Sequence, residues 1–235
     1  MKITLYNFFK YFDENNPKHR AAVEQLEVDL EKKAPELLED SANWVRIHRT
    51  PYNPPDPKGI ILSVPYYPQT DNYALPDYTC NSSACAMCLK YFKPESLSSS
   101  SRADDEYVKK VLAQGRSEDH GIQTRVLNSY GIESSFHYDL GFHDLDNELK
   151  SGRPVVIGIL HRGSDNYPTG GGHMIVVIGK TENGDYLVHD PYGSIHDGYT
   201  GPVSNGKRAV YSKRILEKRW TVKHPTDGWG RIFKV

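Results

Sequence analysis

Cys80, His173 and Asp190, preceded by Gln69, are residues that together can form and break an acyl bond. A cysteine attacks a carbonyl only as thiolate, and a free thiol is mostly protonated at neutral pH. Thr79-Cys80-Asn81-Ser82-Ser83 has the small polar residues of a helix start. There, unpaired backbone N–H groups and the helix dipole favour an anion. His173 follows Gly170-Gly171-Gly172 and heads the apolar run Met174–Ile178, where an imidazole could serve as base. Asp190-Pro191 closes the next strand-like run, Tyr186-Leu187-Val188, and could hold that imidazole in one tautomer. Gln69 stands between a strand and the cysteine helix. Its side-chain NH₂ and the backbone N–H of Cys80 could together bind the oxyanion of a tetrahedral intermediate.

Each residue alone has a structural reading. A single cysteine is more often a small core residue, and a histidine at a strand end more often packs or caps. Asp-Pro is a common turn starter, and a lone loop glutamine is usually solvated. Four such residues in this order point to a thiol hydrolase. His120, His161 and His189 are other candidates for the base, although alternation turns His189 away from the face of Asp190. Cys85 and Cys88, one and two turns beyond Cys80, read as core with Ala84, Met87 and Tyr91. Strand register bears on the pair. A tight turn at Asn183-Gly184 would set Asp190 against Val177 and leave His173 four residues, about 13 Å, further along. A wider loop from Lys180 to Asn183 sets His173 opposite Asp190. The pair needs that register or a bulge that shortens one side, and the wider loop is expected here.

The elements that must position these residues are readable in outline. Residues 1–50 form a helical N-terminal extension, with Asn16-Pro17 as a helix start and Val23, Leu26 and Leu30 at helical spacing. Residues 51–58 are a proline-rich linker, and 59–235 the catalytic domain. A first strand at 60–64 leads to a helix from Cys80 to about Phe92. Further helices are expected near 104–113, 123–130 and 144–150. Strands follow at Pro154–Leu160, Met174–Ile178 and Tyr186–Val188. The C-terminal stretch from Trp220 reads as a last strand, or as a substrate-side wall carrying Trp229. Helices first and antiparallel strands later is the α+β pattern.

The chain has 235 residues, 29 Lys plus Arg against 30 Asp plus Glu, and a net charge of −1, which gives no electrostatic case for nucleic acid or anionic membrane as partner. No apolar run reaches membrane-spanning length, and the first residues lack a signal-peptide core, so synthesis and folding in a cytosol are expected. Three cysteines within nine positions make a poor disulfide framework and read as reduced thiols.

Together the motifs resemble the C39-like peptidases, a branch of the papain-like cysteine hydrolases. They are Val64-Pro65-Tyr66 with Gln69, Cys80 with Ala86-Met87, Gly152-Arg153-Pro154-Val155, Gly171-Gly172-His173 and Asp190-Pro191-Tyr192-Gly193. The resemblance covers about residues 60–195. It implies a papain-like fold of helices on an antiparallel sheet and a Cys80–His173–Asp190 triad. Catalysis would pass through a thioester released by water, with no cofactor. Two departures stand out. The family follows its cysteine with Gly-Pro-Thr where this chain has Asn81-Ser82-Ser83, and the stretch from Gln69 to Cys80 is longer than in papain. Free-standing and phage-borne relatives suggest a lysis enzyme cutting peptide bonds of bacterial peptidoglycan, reaching the cell wall during lysis.

Other classes compete. Cys80-x₄-Cys85-x₂-Cys88 matches a plant-type ferredoxin spacing, but the fourth cysteine is missing, and the apolar helical setting argues against a zinc site. The fold could instead serve as a non-catalytic peptide- or glycan-binding protein with tyrosines lining a groove. An acyltransferase passing the thioester to an amine shares the same first step. Oligomeric state is not legible.

Overall fold

Met174-Ile175-Val176-Val177-Ile178 is apolar at every position, and such a strand needs cover on both faces. In the computed structural model, which describes residues 59–234, this run is the middle of a nine-residue strand, β6 (His173–Thr181). Met174, Val176 and Ile178 enter one hydrophobic cluster, and Ile175 and Val177 enter a second on the opposite face. The first cluster lies under α1 (Cys80–Phe92), α2 (Asp104–Leu112) and α3 (His120–Ser129). The second takes Leu145 and Leu149 from α4 (Phe142–Lys150), and Leu216 from α5 (Lys213–Arg219). The expected helical extension 1–50 and the linker 51–58 lie outside the described residues.

The remaining strands build outward from β6. On one side β3 (Val155–Ile159) pairs with its first half and the short β1 (Gly59–Ile61) with its second. On the other side come β7 (Tyr186–His189) and β8 (Lys207–Tyr211). Beyond β3 lie β9 (Gly228–Lys234) and then β2 (Glu133–Leu140), so the path reads β2-β9-β3-β6-β7-β8 with every pairing antiparallel. A separate two-stranded hairpin, β4 (Arg162–Ser164) and β5 (Tyr167–Thr169), joins β3 to β6. This is the α+β arrangement expected, helices packed on an antiparallel sheet. The C-terminal stretch is a strand, as favoured, but an interior one. β2 was not anticipated, because Glu-Ser-Ser opens an edge strand with little apolar signal.

Strand β9 brings Trp229 across Gly158 of β3. A Cβ at Gly158 would sit 1.8 Å from Trp229 Nε1 and 2.4 Å from Cδ1. The indole fills the space that glycine leaves. Gly158→Ala should therefore displace the ring and cost about 1–3 kcal/mol of stability, read as a lower urea midpoint at unchanged slope.

Candidate active site

Helix α1 starts at Cys80, with Thr79 as N-cap. The cap makes no side-chain bond to the helix, and the first turn holds no acidic residue. The first N–H groups thus keep their positive field at the thiol. The root of the helix is held by Asn72, whose Nδ2 donates to Thr79 Oγ1 at 2.8 Å and Ser83 Oγ at 2.9 Å. Ser83 in turn donates to buried Asp104, whose carboxyl burial raises to about pKa 7. Cys80 is half-buried, whereas Cys85 and Cys88 have no exposed surface and burial raises both thiols. Only Cys80 among the described cysteines is placed to meet a substrate.

His173 opens β6, and its Nε2 lies 2.6 Å from Asp190 Oδ1. The register that brings them together differs from the one expected. The hairpin loop is three residues, Glu182-Asn183-Gly184, with Lys180 opposite Tyr186 and Gly184 at φ +88°. A bulge at Ile178 then shifts the pairing, so that Val177 faces Val188 and Val176 faces His189. One residue further, Asp190 stands across from Ile175, and His173 is its diagonal neighbour on the same face. Diagonal Cβ atoms lie about 7–8 Å apart, a span that an imidazole and a carboxylate bridge. The wider loop is not formed, and the bulge that could take its place is, at a position no turn residue encodes.

Asp190 is fully buried, yet four donors satisfy it. Oδ1 accepts from His173 Nε2 and from the Tyr192 amide at 3.0 Å. Oδ2 accepts from the hydroxyls of Tyr211 at 2.7 Å and Tyr199 at 3.0 Å. The Tyr66 hydroxyl is 2.9 Å from the Asp190 carbonyl, and the Gln69 amide donates to the Pro191 carbonyl at 2.8 Å, tying the segment before α1 to this corner. With the Asp190 oxygens accepting on every side, the hydrogen of the His173 Nε2 contact is on the imidazole, and Nδ1 is the nitrogen left to exchange a proton. Burial alone would lower the His173 pKa. The charge and hydrogen bond of Asp190, helped by the adjacent Cys80 thiol, outweigh it and raise the pKa to about 10.

Cys80, His173 and Asp190 therefore form a continuous chain of neighbours. Gln69 is nearby but differently engaged. It is buried in a short 3₁₀ turn, its Nε2 donates to the Pro76 carbonyl at 2.7 Å, and its Oε1 has no partner. That bond uses one of the two N–H groups on Nε2. Of the other histidines, His189 lies on the opposite face, with Nε2 2.9 Å from the Val64 carbonyl, and burial lowers it to about pKa 4. His120 stacks on Phe136 behind α1 and is lowered to about 4 by burial and Arg231. His161 does share the site: its ring is 5.3 Å from that of His173, and burial with the His173 charge lowers it to about 4. Sequence reasoning did not assign Tyr66, Tyr199 and Tyr211 to Asp190. Only Tyr66 lay in a recognisable motif, whereas Tyr199 and Tyr211 have no spacing that marks them.

Among the described residues no group of three or more His, Cys, Asp or Glu side chains is placed to hold a metal ion. Nor is any described helix long and apolar enough to cross a membrane.

Comparison with known proteins adds a family. No curated protein matches the chain. Among solved structures, a protein from Bacillus anthracis assigned to the C39-like peptidases superposes with a TM-score of 0.50 at 15% identity, over 76% of this chain and 98% of that one. A double glycine motif protease from an AMS/PCAT transporter, solved with its leader peptide, gives a TM-score of 0.46 at 14% identity, over 74% and 93%. The family model described as the Peptidase_C39 like family matches residues 61–225. That span is well over half of the sequence and contains Gln69, Cys80, His173 and Asp190, and the chain belongs to that family.

Proposed function

We propose that this chain is a cysteine peptidase that cleaves a peptide amide bond through a thioester on Cys80. The observation that carries the reading is the 2.6 Å contact of His173 Nε2 with buried Asp190, which leaves Nδ1 for the thiol at the start of α1. In the first half-reaction His173, protonated on both ring nitrogens at neutral pH, faces Cys80 as an ion-pair partner, and the sulfur attacks the carbonyl carbon as thiolate. The Cys80 amide and the free N–H of Gln69 receive the oxyanion. Collapse breaks the C–N bond as His173 gives a proton to the leaving amine. In the second half-reaction His173 takes a proton from water, whose oxygen attacks the thioester. The acid is released, the sulfur leaves as thiolate, and the proton stays on His173, which restores the resting pair. Asp190 holds the ring and its positive charge throughout.

As the polymer cleaved we propose peptidoglycan, with a phage endolysin as the setting. Clearing of purified peptidoglycan in a zymogram supports it, and no clearing alongside efficient cleavage of free peptides rejects it.

Iodoacetamide labelling tests the site itself. One equivalent should react, located on Cys80 by mass spectrometry, and His173→Ala should slow it at least about tenfold. Slow labelling spread over the three cysteines would remove the activated thiol and with it the mechanism.

A further inference from the structure

The loop between Gln69 and Cys80, longer than its papain counterpart, carries exposed apolar side chains beside the nucleophile. Tyr73 is 54% exposed, Leu75 55% and Tyr78 59%. Exposed hydrophobic side chains are ordinary singly, but three within six residues of one loop need an account. Leu75 adds a second observation. Its φ is +51°, a left-handed conformation that an L side chain other than asparagine or aspartate rarely adopts. Glycine would hold that turn without strain, so the loop retains an isobutyl group where the backbone gives a reason to omit it.

The loop is also fixed in place. The Tyr73 amide donates to Asp105 Oδ1 at 2.9 Å, the Tyr78 amide to the Leu75 carbonyl at 2.9 Å, and Gln69 Nε2 to the Pro76 carbonyl. On its far side the Tyr192 hydroxyl is 3.3 Å from Asp77 Oδ1, and the Tyr192 ring lies 6.1 Å from that of His173. The loop is thus tied to α2 through Asp105 and to the histidine corner through Tyr192. A rigid display of aromatic and aliphatic surface binds with little ordering cost.

Resting on the peptidase reading above, we propose that Tyr73, Leu75 and Tyr78 form the specificity surface of the enzyme and select peptides carrying bulky apolar or aromatic side chains next to the scissile bond. Position identifies the occupant: Tyr78 is two residues from Cys80, so a chain acylating that thiol must pass the loop.

The test uses the full chain and two readouts. Cleavage of matched synthetic peptides, with Phe, Leu or Ala flanking the scissile bond, gives kcat/KM. Anisotropy of labelled, uncleaved peptides on the Cys80→Ala protein gives affinity. Apolar peptides should be preferred over the Ala peptide by about tenfold or more in both. Tyr73→Ala/Tyr78→Ala should erase that preference while leaving the Ala peptide's kcat/KM within about twofold. Leu75→Gly should reduce the preference without lowering the urea midpoint, because glycine accepts the backbone angle. Cleavage with no apolar preference, or a preference that survives the double substitution, overturns the inference and leaves the peptidase. Apolar peptides that bind Cys80→Ala yet are never cleaved by the native protein overturn the peptidase and leave the surface. Self-association in sedimentation that the double substitution abolishes would assign the surface to a second copy and overturn the inference.

Discussion

Replacing His173 by alanine should lower kcat/KM by on the order of 10⁴-fold or more, with the fold retained. In the proposed mechanism the imidazole handles the proton in both half-reactions, so its loss leaves thiol attack and amine departure without an acid–base partner. The folded state loses one hydrogen bond, but Asp190 keeps Tyr192, Tyr199 and Tyr211 as donors. The stability cost is therefore about 1–3 kcal/mol, set by the desolvated carboxylate and the small cavity. Cys80→Ala should give a loss of similar size. The double substitution should be no worse than either single one, because the two residues act as one unit. Steady-state cleavage of a fluorogenic peptide, with circular dichroism as fold control, reads this out. Effects that multiply would mean that the two residues do not share a reaction coordinate.

Asp190→Asn is the second large effect, on the order of 10³–10⁴-fold in kcat/KM. An asparagine can keep the shape. Its carbonyl can face His173 and the Tyr192 amide, and its NH₂ can face two tyrosine hydroxyls free to turn and accept. What it cannot supply is the charge. Burial lowers the His173 pKa, and it is Asp190, with Cys80, that lifts it to about 10. Without that carboxylate, burial dominates and the imidazolium is no longer held at neutral pH. The alkaline limb of the pH–rate profile, expected near 10 in the native enzyme, should move to lower pH. Stability should follow the same linkage. A histidine whose folded pKa lies above its unfolded value of about 6.5 contributes stability that is fully present below that pH. The contribution is lost as pH rises through about 10. Urea unfolding should show this decline in the native protein and a flatter profile in Asp190→Asn. An unchanged alkaline limb would reject Asp190 as the source of the His173 charge.

These two experiments concern residues that could be read from the sequence, and the reasons are particular. Thr79-Cys80 starts the helix and Phe92 ends it because polar residues precede a continuous apolar face, so both bounds were legible. The strand after Gly172 was legible because its run is apolar on both faces. The partner of His173 was legible by type but not by register. Asn183-Gly184 announces a turn but is silent about the bulge at Ile178, four residues or more away, that sets the diagonal pairing. The tyrosine hydroxyls on Asp190 were hidden for a different reason. Tyr211 sits on β8 and Tyr199 in the connection before it, and they converge only after the sheet has formed. Gln69 was placed correctly in the loop, but its bond to Pro76 depends on a chain path that its neighbours in sequence do not reveal.

The hairpin of β6 and β7 also bears on how the enzyme comes into being. His173 and Asp190 are only 17 positions apart and meet within one antiparallel turn of chain. Such local closure is fast, whereas bringing Cys80 from far upstream onto the end of β6 carries a larger loop entropy and comes late. A refolding chain should therefore assemble its proton-transfer pair before it has a nucleophile to serve. Pulsed alkylation during refolding would time that last step, with the onset of fast Cys80 modification marking the docking of the helical layer onto the sheet.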